Sequence, residues 1–283
     1  MVERAQVDAL GWFHSIELPG GVVTPGLFDQ RSVVGKLPLP ESFVGQRCID
    51  VAASDGFWSF EMARRGADEV VSTDLDDVRK QDVQGVSTDE VPGVDGPGRA
   101  SSAFYLAHDA LGLPNVKRVD VSVYDLDPDV HGLFDYAFMG NILLHLSDPA
   151  RAVAALKRVL RPDAHLMSLE AISLPLTLLS TKRPLAQLFE LDGPRWWTPN
   201  RAAYRRFVEA GGFEVLRSGG PVFQRLGSWR PRIPRRVPRS RADLHYWTFV
   251  RQFGLPSAWV LARPRPARSY KVTTVTGVLQ ADA

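Results

Sequence analysis

The 283-residue sequence has a single cysteine, Cys48, so no disulfide can form within the chain. Cys48 lies in an apolar run, which suits a buried thiol in a reducing compartment. No stretch approaches the roughly 18 apolar residues of a membrane-spanning helix. The segment MVERAQVDAL, residues 1–10, carries charges where a secretion signal needs an apolar core. A cytoplasmic protein without a membrane partner is expected. Metal-ligand spacings are missing too. The six histidines are scattered, and neither H-x-x-x-H nor C-x-x-C occurs, so no metal is expected. The net charge is only +2, which speaks against a polyanion binder as a whole, and the 45% apolar content suits an ordinary packed core. Charge is uneven, however: RLGSWRPRIPRRVPRSR, residues 225–241, holds seven arginines and no acid.

What is present is an alternation of strand-like and helix-like segments. Residues 46–52 read as a short buried strand. Asp55 and Gly56 turn the chain into a helix whose Phe57, Phe60 and Ala63 recur every three residues, flanked by Trp58 and Met62. Arg64 and Arg65 occupy its last turn and Gly66 ends it. A strand at 69–74 completes a β–α–β unit, which implies a parallel sheet with right-handed crossovers. Residues 80–100, rich in Gly, Pro and Asp, read as a loop, 104–112 as a helix, and 116–124 and 134–140 as the third and fourth strands. Asp148 and Pro149 cap the next helix, Pro162 stops it, and 164–172 is the fifth strand. Thr198 and Pro199 repeat the cap signal before NRAAYRRFVEAGG. The sixth and seventh strands fall at 213–220 and 257–264. The fold class is α/β, a seven-stranded, mostly parallel, doubly wound sheet. Four regions are expected: an N-terminal cap (1–45), the core (46–221), an Arg/Pro-rich insertion or lid (222–256), and the last strand with its tail (257–283).

The first β–α turn, CIDVAASDGFWSFEMARRGADEVVSTDL at 48–75, lacks the glycines of a dinucleotide loop. Such a loop places a pyrophosphate on the helix N-terminus and needs G-x-G-x-x-G. Ala52, Ser54 and Phe57 stand there instead, and Asp55 sets a negative charge where phosphates would go. An NAD(P)-dependent oxidoreductase is therefore disfavoured. S-adenosylmethionine removes the conflict, because it has no phosphate and carries a sulfonium and an ammonium. Asp50 or Asp55 suits those cations, Gly56 keeps the backbone close, and Asp74 ends the second strand where a carboxylate can accept from both ribose hydroxyls.

These residues resemble the class I S-adenosylmethionine-dependent methyltransferases. IDVAASDG takes the place of the family's glycine-rich first motif, STDLDD matches its acidic second-strand end, and FMGNILLHLSDP resembles its fourth-strand motif. Locally the chain is most similar to the subgroup that includes the tRNA wobble-uridine carboxymethyltransferases. The likeness runs roughly over residues 10–218. GWFHSIELPGG, at residues 11–21, offers no Lys or Arg for a carboxylated donor, so ordinary S-adenosylmethionine is expected, leaving S-adenosylhomocysteine as product. The resemblance implies a Rossmann-like domain whose cofactor residues are Asp50, Ala52, Ala53, Ser54, Asp55, Gly56, Asp74 and Leu75. Ser122, Val123 and Tyr124 would lie along the adenine, and Gly140 and Asn141 along the methionine part and the methyl group. Asp50 has a second reading, as an acceptor that ties the loop's backbone together.

For an OH or NH acceptor the enzyme aligns the acceptor and takes a proton. His145 is the candidate general base, and its alternative role is to cap the HLSDP turn. His14, Glu17, Trp197 beside Trp196, and Arg201 are candidate acceptor contacts, and the tryptophan pair has a second reading as core or a hydrophobic staple. The expected function is methyl transfer to a small molecule, such as a natural product or sugar-like compound, on O or N. One alternative is modification of a tRNA wobble uridine, with the arginine run on phosphates and Trp229 stacking on a base. Two other readings of that run stay open: recognition of a phosphorylated or carboxylated small substrate, and a solvated loop that raises solubility. Another is a non-catalytic binding protein that keeps the fold.

Overall fold

The computed structural model describes residues 2–77, 80–82, 99–188, 195–228 and 248–266. Its central sheet has eight strands: β1 (Phe28–Asp29), β2 (Arg47–Val51), β3 (Glu69–Asp74), β4 (Val116–Asp120), β5 (Phe134–Gly140), β6 (Leu160–Ala171), β7 (Phe213–Leu226) and β8 (Leu255–Pro264). Their order across the sheet is β1-β7-β8-β6-β5-β2-β3-β4. From β6 to β4 all pairs are parallel. The β8 strand runs antiparallel between β6 and β7, and β1 pairs antiparallel with the end of β7.

The parallel strands are buried on both faces, so side chains alternate between two apolar layers. Cys48, Tyr136 and Phe138 face one layer, shared with helices α1 (Phe57–Arg64) and α2 (Arg99–Leu111). Ile49, Val51, Ala137 and Met139 face the other, shared with α3 (Pro149–Arg158) and α4 (Arg201–Ala210). The α1 helix buries Phe57, Trp58, Phe60 and Met62, each contributing roughly 1.5–3 kcal/mol of hydrophobic stabilisation. Gly66 leaves it with φ 88°, the left-handed exit expected. Cys48 is fully buried, which pushes its thiol up to about 12.

Five expectations need correction. The sheet has eight strands, not seven, because the N-terminal segment supplies β1, too short to show an alternating pattern. Pro162 does not separate helix from strand: the helix ends at Arg158 and Pro162 lies inside β6. It sits where the β5–β6 register slips, between the Phe134–Leu160 and Tyr136–His165 pairs, and a proline is tolerated where the ladder is broken. The cap of α4 is Asn200, whose side chain accepts from the Ala203 amide at 2.8 Å; Thr198 and Pro199 belong to a short strand paired with Ala186–Leu188. Finally, β4 stops at Asp120, and Val123–Asp125 form a 3₁₀ turn. The β7 strand runs on to Leu226, past the expected core boundary at 221. Most of the expected loop at 80–100 and of the arginine run lies outside the described residues, as does Trp229.

Candidate functional site

A cavity of about 280 Å³ opens beyond the carboxyl ends of β2, β3 and β5, where ligands bind in open α/β sheets. Its floor is the β2–α1 loop. Ala52 (φ 58°), Ser54 (φ 53°) and Gly56 (φ 87°) all adopt left-handed backbone there. For the two non-glycines this costs roughly 1–2 kcal/mol each, so other bonds must fix the loop. The Ser54 amide donates to Asp74 Oδ2 at 2.7 Å, Ala53 N to Thr73 O at 3.0 Å, and Gly56 N to Ala53 O at 2.8 Å. Below the loop, Arg118 donates to Ser54 O at 2.8 Å and pairs with Asp76. Gly56 has no room for a side chain: a Cβ would lie 2.7–2.8 Å from the Phe104 and Phe60 rings.

Of the expected cofactor residues, Asp50, Ala52, Ser54, Asp74, Leu75, Ser122, Val123, Gly140 and Asn141 line this cavity, together with His14 and His145. Asp50 is almost wholly buried and accepts from Ser59 Oγ at 2.6 Å. Burial pushes its carboxyl up to about 7, against that bond and the nearby His14 ring. Asp74 accepts one backbone amide on each oxygen, from Ser54 and from Leu75, both at 2.7 Å. Burial raises it also, and Arg118 opposes the rise.

The remaining candidates fall elsewhere. Asp55 does not face the cavity: its carboxylate accepts the amides of Phe13 (2.8 Å) and His14 (2.7 Å) and contacts His14 Nδ1, clasping the N-terminal segment to the loop. Ala53 and Gly56 belong to the same loop but are buried and do not line the cavity. Tyr124 turns its hydroxyl to Asp82 and to the Asp148 amide, 3.1 Å from each. Glu17 is exposed on a short hairpin. Trp197 donates to Leu143 O at 3.0 Å and packs on Phe207, so it braces the turn that carries His145. Arg201 donates to Gly220 O at 3.3 Å and lines a separate groove.

Several lining residues carry no signal in the sequence. Gln30, from the N-terminal segment, and Trp58, from α1, meet Asn141 through a buried amide chain. Trp58 donates to Gln30, Gln30 to Gln224, and Gln224 and Asn141 bond each other reciprocally at 2.8 and 3.0 Å. Asn141 itself sits at φ 52°. Asp82 closes another side: its carboxylate accepts from the Ser147 amide at 2.7 Å, and its carbonyl accepts from Trp196 at 2.8 Å. Under the Leu143–His145 turn, Glu170 is fully buried and accepts the Leu143 amide at 2.8 Å and that of Ala171 at 3.0 Å. Burial holds its carboxyl up to about 8.

The donor set decides between ligands. The loop amides of Ala53, Ser54 and Gly56 already have partners, and no Lys or Arg lines the cavity among the described residues. A pyrophosphate would therefore meet those three loop amides already engaged and no Lys or Arg. An uncharged ribose beside Asp74, and cationic groups beside Asp50, fit what is offered. Among the described residues, no cluster of His, Cys, Asp or Glu could hold a metal, and no helix is long and apolar enough to cross a membrane.

Residues 49–168 match the family model described as a methyltransferase domain. No curated protein matches the chain. Among solved structures, one similar chain is Burkholderia thailandensis 1,6-didemethyltoxoflavin-N1-methyltransferase with bound 1,6-didemethyltoxoflavin and S-adenosylhomocysteine. It is 16% identical over 78% of this chain and 72% of that one, with a TM-score of 0.47. A Mesorhizobium loti S-adenosylmethionine-dependent methyltransferase is 15% identical over 80% and 93%, with a TM-score of 0.47. A complex of the Haloferax volcanii Trm112 methyltransferase activator with a methyltransferase matches at 13% identity over 85% and 90%, with a TM-score of 0.49.

Proposed function

We propose that this chain is a class I S-adenosylmethionine-dependent methyltransferase that transfers the cofactor's methyl group to a small-molecule acceptor entering the cavity over the β2–α1 loop. The observation that carries the reading is the donor set: loop amides already engaged, Asp74 and Asp50 on the lining, and no lining Lys or Arg among the described residues. Asp74 would hold the ribose hydroxyls, Ser122 and Val123 the adenine, and Asp50, Gly140 and Asn141 the methionine end. The cofactor supplies an already activated methyl group. What remains for the protein is to align the acceptor and, for an OH or NH group, to accept its proton. His145, which lines the cavity, would take that proton. The N-terminal segment, clasped by Asp55, forms one wall through Phe13, His14 and Gln30.

The test is calorimetric titration with S-adenosylhomocysteine and, in parallel, NADH. Binding of the former alone supports the reading, and binding of NADH refutes it. Incubation with methyl-labelled S-adenosylmethionine, a small-molecule extract and bulk tRNA then separates the acceptors. Label in the low-mass fraction supports the proposal. Failure to label either fraction while S-adenosylhomocysteine binds favours a non-catalytic binding protein.

One observation keeps the tRNA reading as the second. Lys182, Arg201, Arg205 and Arg206 share a groove beside α4, with Glu209 as its acidic member. Label in tRNA, with binding that weakens steeply as salt rises, would establish it.

A further inference from the structure

The end of the cavity around Asp50 has a charge problem that the residues assigned so far leave unsolved. A methionine part brings a carboxylate as well as an ammonium, yet the lining there is acidic or neutral. Of the amides nearby, Gln224 gives both its N–H groups, to Asn141 and Ser257, while Gln30 and Asn141 each give one to Gln224 and offer at most a second, uncharged N–H. Among the described lining residues, the side chains able to carry a positive charge are two imidazoles, His14 and His145. His14 is the one beside Asp50, and it is fixed from several directions. Its amide and Nδ1 both meet the Asp55 carboxylate, its carbonyl accepts from Thr24 Oγ1 at 2.7 Å, and its ring stacks on Phe57 at 5.5 Å between centroids. Gly26 runs so close behind that a Cβ there would lie 2.1 Å from the His14 backbone. With Nδ1 committed to Asp55, Nε2 is the ring nitrogen on offer to the cavity. In the imidazolium form, Nδ1–H stays on Asp55 while Nε2–H becomes a charge-assisted donor.

We propose that His14, held by Asp55, receives the carboxylate of the cofactor's methionine part. This rests on the methyl-donor reading of the cavity and assigns a cofactor contact to a residue of the N-terminal segment. Asp55 acts as its positioning residue, holding the ring before the ligand arrives, so little ordering cost falls on binding.

The experiment compares S-adenosylhomocysteine with 5′-methylthioadenosine, which shares the adenosine and sulfur but lacks the amino-acid part. Both are titrated calorimetrically into the full chain, the His14→Ala variant and the His14→Gln variant, with thermal melts of each. Loss of one charge-assisted bond should weaken S-adenosylhomocysteine about tenfold to a hundredfold in His14→Ala. Methylthioadenosine should bind unchanged, which also certifies the fold. His14→Gln, which keeps a neutral donor, should recover part of the loss. Unchanged affinity for S-adenosylhomocysteine in His14→Ala would overturn the proposal, and so would an equal loss for both ligands. If the unaltered chain binds neither ligand, the methyl-donor reading itself fails, and this assignment with it.

Discussion

Replacing Glu170 by glutamine should reverse the order of stability between acid and alkaline conditions. Glu170 is fully buried, and its carboxyl is held up to about 8 against an ordinary value of 4.5, chiefly because burial penalises the charge. The group is an acid whose folded-state value is raised. Between pH 4.5 and 8 the native chain therefore keeps a proton that the unfolded chain has lost, and stability falls as pH rises through that window. The full span, 3.5 pH units at 1.36 kcal/mol each, amounts to about 5 kcal/mol. Between pH 5 and pH 8 the share is about 4 kcal/mol. Glutamine does not titrate and loses this dependence. It keeps one acceptor, however, and turns an NH₂ toward the amide of Leu143 or Ala171, which costs about 1–3 kcal/mol at every pH. Glu170→Gln should therefore be less stable than the unaltered chain at pH 5 and more stable at pH 8. Urea unfolding of both proteins at pH 5, 6, 7 and 8 measures the difference directly. Asp50, also raised by burial, titrates in both proteins and cancels. Parallel stability–pH curves would refute the argument and show that Glu170 is ionised in the native chain throughout.

Other substitutions probe the cavity and its frame. Asp74→Ala should weaken S-adenosylhomocysteine and methylthioadenosine alike, about tenfold or more by calorimetry, because the ribose is common to both. That pattern is the opposite of the selective loss expected at His14. Gly56→Ala meets the Phe104 and Phe60 rings and a left-handed backbone together. It should cost about 2–4 kcal/mol in denaturant melts and lower the affinity for S-adenosylhomocysteine. Asn200→Ala removes an N-cap that also accepts the Leu185 amide at 3.1 Å and donates to the Ser180 and Arg183 carbonyls, both at 2.9 Å. A loss of about 2–4 kcal/mol is expected, read as a fall in the thermal midpoint.

The parts of the fold that could be read from the sequence are those with local causes. The apolar face of residues 57–63, the left-handed exit at Gly66 and the Asp148–Pro149 cap each rest on neighbours a few positions apart, and each stands where the pattern put it. The eighth strand was not legible because two residues cannot display a period. Pro162 misled because a broken ladder accepts the residue that otherwise ends a helix. At the cavity, Asp50, Asp74, Gly140 and Asn141 follow from their places at strand ends. Asp55 was misread because nothing near it in sequence announces that residues 13 and 14 fold back onto it. Gln30 was missed for the same reason: its partner lies 194 positions away.

That long separation has a consequence for the order in which the molecule is built during synthesis. By the time β6 has emerged from the ribosome, the parallel half of the sheet can pair and its two apolar layers can begin to close. Gln30 still has no amide to meet, β1 has no edge to join, and Asn141 lacks the partner that steadies its left-handed backbone. Phe13 and His14 already have Asp55 and Gln30 has Trp58, but only when β7 arrives does that wall gain its second anchor through Gln224 and the β1 pairing, and β8 must then slide between β6 and β7. Closing so large a loop is slow relative to forming the β–α–β units. The pocket is thus the last piece of the molecule to mature, and a chain interrupted before residue 224 would hold its N-terminal wall by Asp55 and Trp58 alone.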